Sequence, residues 1–171
     1  MTKPSIFVLF VTLIVILIQC NSVLSDANLI SKICSQTPNP SLCISFLKSD
    51  PSSLNADTTK LALIMVNVIK AKATASVNFI HQQIGKSSPE LKKSFSSCAG
   101  AYNAVLNGGI PSAIEALTKG QPKFGQAGAN DAANEATDCE NSFHGKSPMT
   151  QLNNAVKQSS TIALAIIQLL L

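Results

Sequence analysis

The chain has 171 residues and a formal net charge of +4, with 46% hydrophobic and 13% charged residues. This composition excludes a disordered chain, a collagen and a strongly basic nucleic-acid-binding protein. All 13 basic residues are Lys, so the chain lacks the guanidinium groups that favour bidentate phosphate recognition. We expect a folded domain that binds no nucleic acid.

The N-terminus carries the pattern of a secretory signal. The segment from Ile6 to Ile18 is apolar except for Thr12, Lys3 precedes it, and small polar residues follow it. A transmembrane helix is the alternative, but the segment is short for the roughly 20 apolar residues that a membrane span requires. We therefore predict a signal peptide over residues 1–25 and a mature protein, residues 26–171, that is free of the membrane after cleavage.

The number of cysteines is typical of a protein that folds in an oxidising compartment. Cys20 leaves with the signal, and four cysteines remain: Cys34, Cys43, Cys98 and Cys139. An even number of cysteines in a secreted chain of this size predicts two disulfides.

The mature sequence is typical of a helical protein, because each apolar-periodic segment opens at a capping residue and ends at Gly or Pro. No strand-like alternation competes with this pattern. The predicted helices cover, in chain order, residues 28–36, 40–48, 57–85, 88–120 with a kink at Gly108-Gly109, about 130–144, and 147–171. We predict an all-α fold: an up-down-up-down four-helix bundle over residues 57–171, preceded by a helical hairpin over residues 26–56.

The segment from Gly120 to Gly128 has three glycines and one proline but no stripe of large apolar residues, which predicts an exposed loop. The helix before this segment extends about 30 Å from Cys98 to Thr118, whereas the predicted helix after it extends only about 14 Å from Asn130 to Cys139, which leaves about 16 Å between their ends. An extended loop would supply the missing distance. We therefore predict that Pro122-Lys123-Phe124 lies stretched along the shoulder of the bundle.

Candidate catalytic groups are few. The sequence has no nucleophile elbow, zinc-protease motif or phosphate-binding loop. His81 and His144 belong to different helices, and we interpret both as structural. One helix carries a group of carboxylates, which we interpret as a solvated acidic face: Asp131, Glu135, Asp138 and Glu140. We expect no catalytic residue, no metal and no cofactor, and therefore a protein that is not an enzyme.

Phe124 is the aromatic residue that no helical period explains, since Gly120 and Gly125 flank it. It follows a cation, Lys123, on a backbone that Pro122 stiffens. One interpretation is that the ring folds back onto the end of the bundle. The other is a recognition element, in which Phe supplies apolar area and Lys a positive charge.

Together these features resemble the plant invertase and pectin methylesterase inhibitor family. The likeness rests on the signal, on the Cys34–Cys43 segment Ile-Cys-Ser-Gln-Thr-Pro-Asn-Pro-Ser-Leu-Cys, on the two later cysteines and on the helical pattern. Residues 61–73 and 113–124 are similar to the inhibitors of acid invertase (β-fructofuranosidase), whose Pro-Lys-Phe motif enters the active site of the target. The resemblance implies that Cys34 pairs with Cys43, closing the N-terminal hairpin, and Cys98 with Cys139.

The resemblance also implies a function and a location. Pro122, Lys123 and Phe124 would bind acid invertase and block its active-site cleft, in the cell wall (apoplast) or the vacuole. Pectin methylesterase is the alternative target, which this family contacts through the bundle helices. A secreted lipid carrier or storage protein is a second alternative, and a weak hydrolase using the acidic face is a third.

Overall fold

The computed structural model describes residues 29–171. The predicted signal peptide, residues 1–25, lies outside this range. Every regular element of the described chain is helical, as predicted: α1 over residues 29–34, α2 Pro40–Lys48, a 3-10 turn Pro51–Asn55, α3 Thr58–Ile84, α4 Pro89–Ala104, a π-helical segment Val105–Gly109, α5 Ile110–Thr118, α6 Pro122–Asn141 and α7 Thr150–Gln168.

Three of the predicted helix starts are fixed by side-chain caps. Asn39 accepts from the amide of Leu42 at 3.1 Å, and Asp57 accepts from the amide of Lys60 at 2.7 Å. Ser88 caps α4, and Pro follows directly at the first helical position of both α2 and α4. A capping oxygen satisfies an amide that has no partner within the helix, so these starts can be located from sequence.

The helix predicted from residue 88 to residue 120 is one continuous rod with a π-helical segment at its middle. The amide of Ile110 donates to the carbonyl of Val105, five residues earlier. Pro111 has no amide hydrogen, and its ring would clash with the carbonyl four residues before it in a regular α-helix. The wider π turn accommodates the ring, which explains why the break in the sequence does not end the helix.

The bundle is a square of four rods. α3 packs on α4 and α7, and α6 packs on α7 and on the α4–α5 rod, while α3 and α6 face each other only weakly across the diagonal. Short connections between sequence neighbours make adjacent rods antiparallel, as predicted for an up-down-up-down bundle. The centre of the square is filled by large apolar side chains, among them Leu61, Met65, Ile69 and Ile80 of α3 and Phe95 of α4.

Among the helices of the described chain, one is long and apolar enough to cross a membrane, and that helix is α3. Its apolar stripe is nevertheless buried by the other three rods. The composition of α3 is therefore explained by its position at the core of the bundle.

The N-terminal hairpin packs against α3. The Cys34–Cys43 disulfide joins α1 to α2, as the resemblance implied. The ammonium group of Lys72 on α3 lies 5.5 Å from the ring centroid of Phe46 on α2, a cation–π contact. The second disulfide, Cys98–Cys139, joins α4 to α6. Both implied pairings are present.

Three predicted helix boundaries were wrong. The helix expected from about residue 130 begins at Pro122 and ends at Asn141, so His144 lies beyond its last turn, with a positive φ of 52°. The final helix begins at Thr150 because Ser147 first makes a turn, its hydroxyl oxygen accepting from the amide of Met149 at 3.1 Å.

Candidate functional site

The candidate site is the first turn of α6, Pro122–Phe124, which we call the Pro-Lys-Phe turn. α5 ends in a Schellman motif in which Gly120 has a φ of +69°. The amide of Gln121 donates to the carbonyl of Ala116 at 2.8 Å, and that of Gly120 to the carbonyl of Leu117 at 3.1 Å. Three residues thus reverse the chain, and Pro122 occupies the first position of the new helix.

The prediction of an extended loop over residues 121–128 was wrong. Pro122, Lys123 and Phe124 are helical, and the first turns of α6 span the distance along the bundle that the loop was expected to span. Pro122 suits a first helical turn, since its missing amide hydrogen would have no helical partner there. The exposed character of the segment was predicted correctly, because Lys123 and Phe124 are both exposed.

Glycines in this segment serve close packing between helices. A Cβ atom on Gly125 would lie 2.8 Å from Cγ of Leu117, and one on Gly128 would overlap the carbonyl oxygen of Gly109. A Cβ on Gly128 would also lie 3.0 Å from Cβ of Ala113. α6 therefore packs against α5 and the π-helical segment closely enough to exclude any side chain. We call the contact between Gly109 and Gly128 the glycine crossing.

Phe124 is the most exposed large apolar side chain of the described chain, at 67%. By contrast, Phe95 and Phe143 are buried and pack edge to face, with ring centroids 5.2 Å apart. Leaving a Phe ring in water forgoes the roughly 2 kcal/mol that burial would contribute. The interpretation in which the ring folds back onto the bundle is therefore not what the structure adopts.

Lys123 carries a positive charge that no carboxylate neutralises within the described residues. The ion pair in this part of the chain is a different one: the ammonium group of Lys119 lies 2.5 Å from the carboxylate of Glu115, and both side chains are exposed. That contact lowers the pKa of Glu115, through a hydrogen bond and the attraction of the Lys119 charge. Lys123 also lies at the N-terminal end of α6, where the helix dipole is positive. The Pro-Lys-Phe turn is thus an electropositive end with an exposed ring.

A surface groove of about 460 Å³ continues from Lys123 along the side of α6. Gln126, Ala127 and Asn130 follow Lys123 at helical spacing, and Leu164 of α7 forms the opposite wall. Beside this groove, the side-chain amide Nε2 of Gln126 donates to the side-chain oxygen Oε1 of Gln168 at 2.7 Å. This bond holds the second turn of α6 against the last turn of α7.

The acidic residues of α6 lie farther along the helix, away from the turn. In the described residues, no group of three His, Cys, Asp or Glu side chains is placed to hold a metal ion. Burial, followed by repulsion from Asp138 and Asp131, raises the pKa of Glu135. Glu140 accepts hydrogen bonds from Thr150 and Asn153, at 2.5 and 2.6 Å. Its carboxylate is therefore used in packing α6 against α7.

The sequence did not reveal the glycine crossing or the contacts of Glu140. A signal for the crossing was present, since Gly125, Gly128, Ala129, Ala132 and Ala136 recur at helical spacing and all are buried. A helical stripe made of small residues indicates a close helix contact, although it lacks the large apolar residues that usually mark the buried face of a helix.

Comparison with known proteins agrees with this architecture. The sequence profile described as plant invertase/pectin methylesterase inhibitor matches residues 28–166. A cell wall/vacuolar inhibitor of fructosidase from Arabidopsis thaliana is 42% identical over 142 residues, which is 83% of this chain and 69% of that protein. A pectinesterase inhibitor from Actinidia deliciosa is 32% identical over 155 residues, 86% of this chain and 83% of that protein.

A solved structure is similar over most of its length. The crystal structure of a mutant form of a pectin methylesterase inhibitor from Arabidopsis superposes with a TM-score of 0.70 at 27% identity, covering 81% of this chain and 95% of that one. The disulfide-linked helical bundle and the sequence match together define the class: the chain belongs to the plant invertase/pectin methylesterase inhibitor family.

Proposed function

We propose that this chain is a secreted protein inhibitor of plant acid invertase, acting in the cell wall or the vacuole. The observation that carries the proposal is the pairing, in one rigid helical turn, of an exposed Phe124 with an unneutralised Lys123. The 42% identity to an Arabidopsis inhibitor of fructosidase supports the choice of target. The names of the relatives favour an inhibitor over a lipid carrier, a storage protein or a hydrolase.

The mechanism follows from the chemistry of the target class. A retaining glycosidase places two carboxyl groups about 5 to 5.5 Å apart around the scissile bond, so its cleft is anionic and shaped for a sugar ring. The ammonium group of Lys123 would donate hydrogen bonds to these carboxylates, and the ring of Phe124 would fill the sugar-binding hollow. Sucrose would then be excluded because its site is occupied.

Placing the two side chains on a helix, rather than on a mobile loop, reduces the entropic cost of binding. The Schellman motif at Gly120 and Pro122 at the first helical position fix the backbone before the target arrives. An inhibitor that keeps its recognition residues preorganised has less conformational freedom to lose in the complex.

Pectin methylesterase is the second candidate target. The Actinidia relative and the solved structure carry the names of pectin methylesterase inhibitors, and both match more than 80% of this chain. In that case the bundle helices, not the Pro-Lys-Phe turn, would form the contact surface.

An inhibition assay with each purified target separates the two proposals. The expected result is a stoichiometric loss of sucrose hydrolysis by acid invertase and unchanged demethylation of pectin. Saturating sucrose added first should slow the onset of inhibition, because substrate and inhibitor compete for one cleft. Inhibition of pectin methylesterase alone would contradict the proposal, and inhibition of invertase that sucrose does not affect would contradict the proposed mechanism.

A further inference from the structure

We infer that Gly125 and Gly128, which have no room for a side chain against Leu117 and Gly109, are positioning residues for the Pro-Lys-Phe turn. These two close contacts would set the position of Phe124 relative to the bundle, and so how far its ring reaches into the target cleft. This inference rests on the proposed function, since it assigns a role to residues that support that turn without touching the target.

The glycine crossing lies directly beneath the turn. Gly128 follows Phe124 by four residues, which is one helical turn or about 6 Å along the axis of α6. Cys139, which the disulfide holds, follows Phe124 by 15 residues, or about 22 Å. The close contacts of Gly125 and Gly128 with α5 and the π-helical segment are thus much nearer to the ring than the disulfide is.

The atoms at the crossing cannot move aside independently. The atom that a Cβ on Gly128 would meet is a backbone carbonyl of the π-helical segment, and Cβ of Ala113 lies on the next turn of α5. No rotamer change relieves such an overlap, so α6 must move away from α5 or its first turns must unwind. Either response displaces Phe124.

Glycine is not required at every helical position of this protein. A Cβ on Gly100 or Gly108 would meet nothing within 4 Å, although Gly108 is the direct neighbour of Gly109. The helical glycines that lack room for a side chain are Gly125 and Gly128, the two that follow the Pro-Lys-Phe turn. The requirement for glycine is therefore concentrated where the recognition residues are presented.

The test compares inhibition constants of purified acid invertase for Gly128→Ala and for its matched control, Gly108→Ala. A misplacement of about 1 Å can lower the rate of an enzyme reaction about 100-fold. Inhibitor binding depends on position in the same way, so we expect Gly128→Ala to raise the inhibition constant by about tenfold or more. Gly108→Ala should inhibit like the natural protein. Equal inhibition by both variants, with unchanged helical circular dichroism, would overturn the inference.

A rescue variant separates positioning from general stability, and it also covers the case in which Gly128→Ala does not fold. Gly125→Ala places a Cβ against Cγ and Cδ2 of the buried Leu117 side chain, and a second change, Leu117→Ala, removes these obstructing atoms. The double variant should unfold at lower urea than Gly125→Ala, because a buried leucine is lost, yet inhibit invertase more strongly. Inhibition that simply follows the urea midpoint would contradict a positioning role.

Phe124→Ala distinguishes failure of this inference from failure of the proposed function. If the crossing acts through the Pro-Lys-Phe turn, Gly128→Ala should weaken inhibition by a smaller factor in the Phe124→Ala background than in the natural protein, because only Lys123 is left to be misplaced, a non-additive result. Full additivity would contradict the inference while leaving the proposed function intact. If Phe124→Ala itself inhibits like the natural protein, the Pro-Lys-Phe turn is not the binding element and both proposals fail.

Discussion

The hydroxyl of Tyr102 on α4 donates a hydrogen bond of 2.6 Å to the side-chain oxygen of Asn153 on α7. The side-chain amide Nδ2 of Asn153 in turn donates to the carboxylate of Glu140 on α6, also at 2.6 Å. Both Tyr102 and Asn153 are buried, so this chain of hydrogen bonds crosses the interior of the bundle. Burial raises the pKa of Tyr102 from its ordinary value of 10 to about 12, so the phenol, neutral at physiological pH in either case, stays a donor well into alkaline pH.

Removal of the donor should destabilise the bundle. Tyr102→Phe leaves the oxygen of Asn153 buried without its partner, and an unsatisfied buried acceptor costs about 1–3 kcal/mol. We expect urea denaturation to show a loss of this size. Asn154→Ala, at the exposed neighbouring position, is the control and should change the free energy of unfolding by less than about 0.5 kcal/mol. Equal midpoints for the natural protein and Tyr102→Phe would show that the hydrogen bond contributes nothing.

The carboxylate of Glu140 should make stability depend on acid pH. Burial favours its protonated form, but the hydrogen bonds from Thr150 and Asn153 outweigh burial, and the pKa falls below the ordinary value of 4.5. A lowered pKa in the folded state means that ionised Glu140 stabilises the fold above pH 4.5, and that this contribution disappears as the pH falls through the lowered pKa.

Glu140→Gln tests this dependence. The variant should be less stable than the natural protein at pH 7, and the difference between the two free energies of unfolding should shrink towards zero as the pH falls well below 4.5. Urea titrations at a series of pH values measure it. Glu90→Gln, on an exposed carboxylate, serves as the control. A difference that stays constant from pH 7 to strongly acid pH would contradict the role of Glu140.

The two disulfides should contribute unequally to stability. Cys98–Cys139 closes a sequence separation of 41 residues, and Cys34–Cys43 one of 9. Because a longer closed loop removes more entropy from the unfolded chain, the chain-entropy estimate is about 4 kcal/mol for the first and about 2.5 kcal/mol for the second.

Paired Cys→Ser variants measure these contributions. Cys98→Ser with Cys139→Ser should lower the urea midpoint further than Cys34→Ser with Cys43→Ser. The reverse order would mean that contacts in the hairpin, such as Lys72 over Phe46, depend on the first disulfide more than loop closure predicts.

The sequence predicted the fold where a local signal marks each boundary. Asn39, Asp57 and Ser88 each accept a backbone hydrogen bond at a helix start, and each is a residue type that favours the cap position. The start of α6 has no such signal, because Gln121 makes no side-chain cap. Without a cap or a large apolar stripe, the first eight residues of α6 had the composition of a loop.

The exposure of the Pro-Lys-Phe turn was predicted correctly from the sequence, but its conformation was not. The exposure of Phe124 can be predicted from the sequence, because no large apolar residue follows it at helical spacing. Its helical backbone depends on Gly125 and Gly128 meeting Leu117 and Gly109, and these contacts join positions that are distant in sequence. The network of Tyr102, Asn153 and Glu140 was missed for the same reason, since its three members lie on three different helices.

The central claim is that Lys123 and Phe124 together block the active site of acid invertase. The most direct measurement is the inhibition constant for sucrose hydrolysis with Lys123→Ala and Phe124→Ala, next to exposed controls elsewhere, Lys92→Ala and Leu54→Ala. We predict that each site variant weakens inhibition by about 1 to 4 kcal/mol, with the helical circular dichroism unchanged and both controls inhibiting fully. Site variants as potent as the controls would contradict the claim.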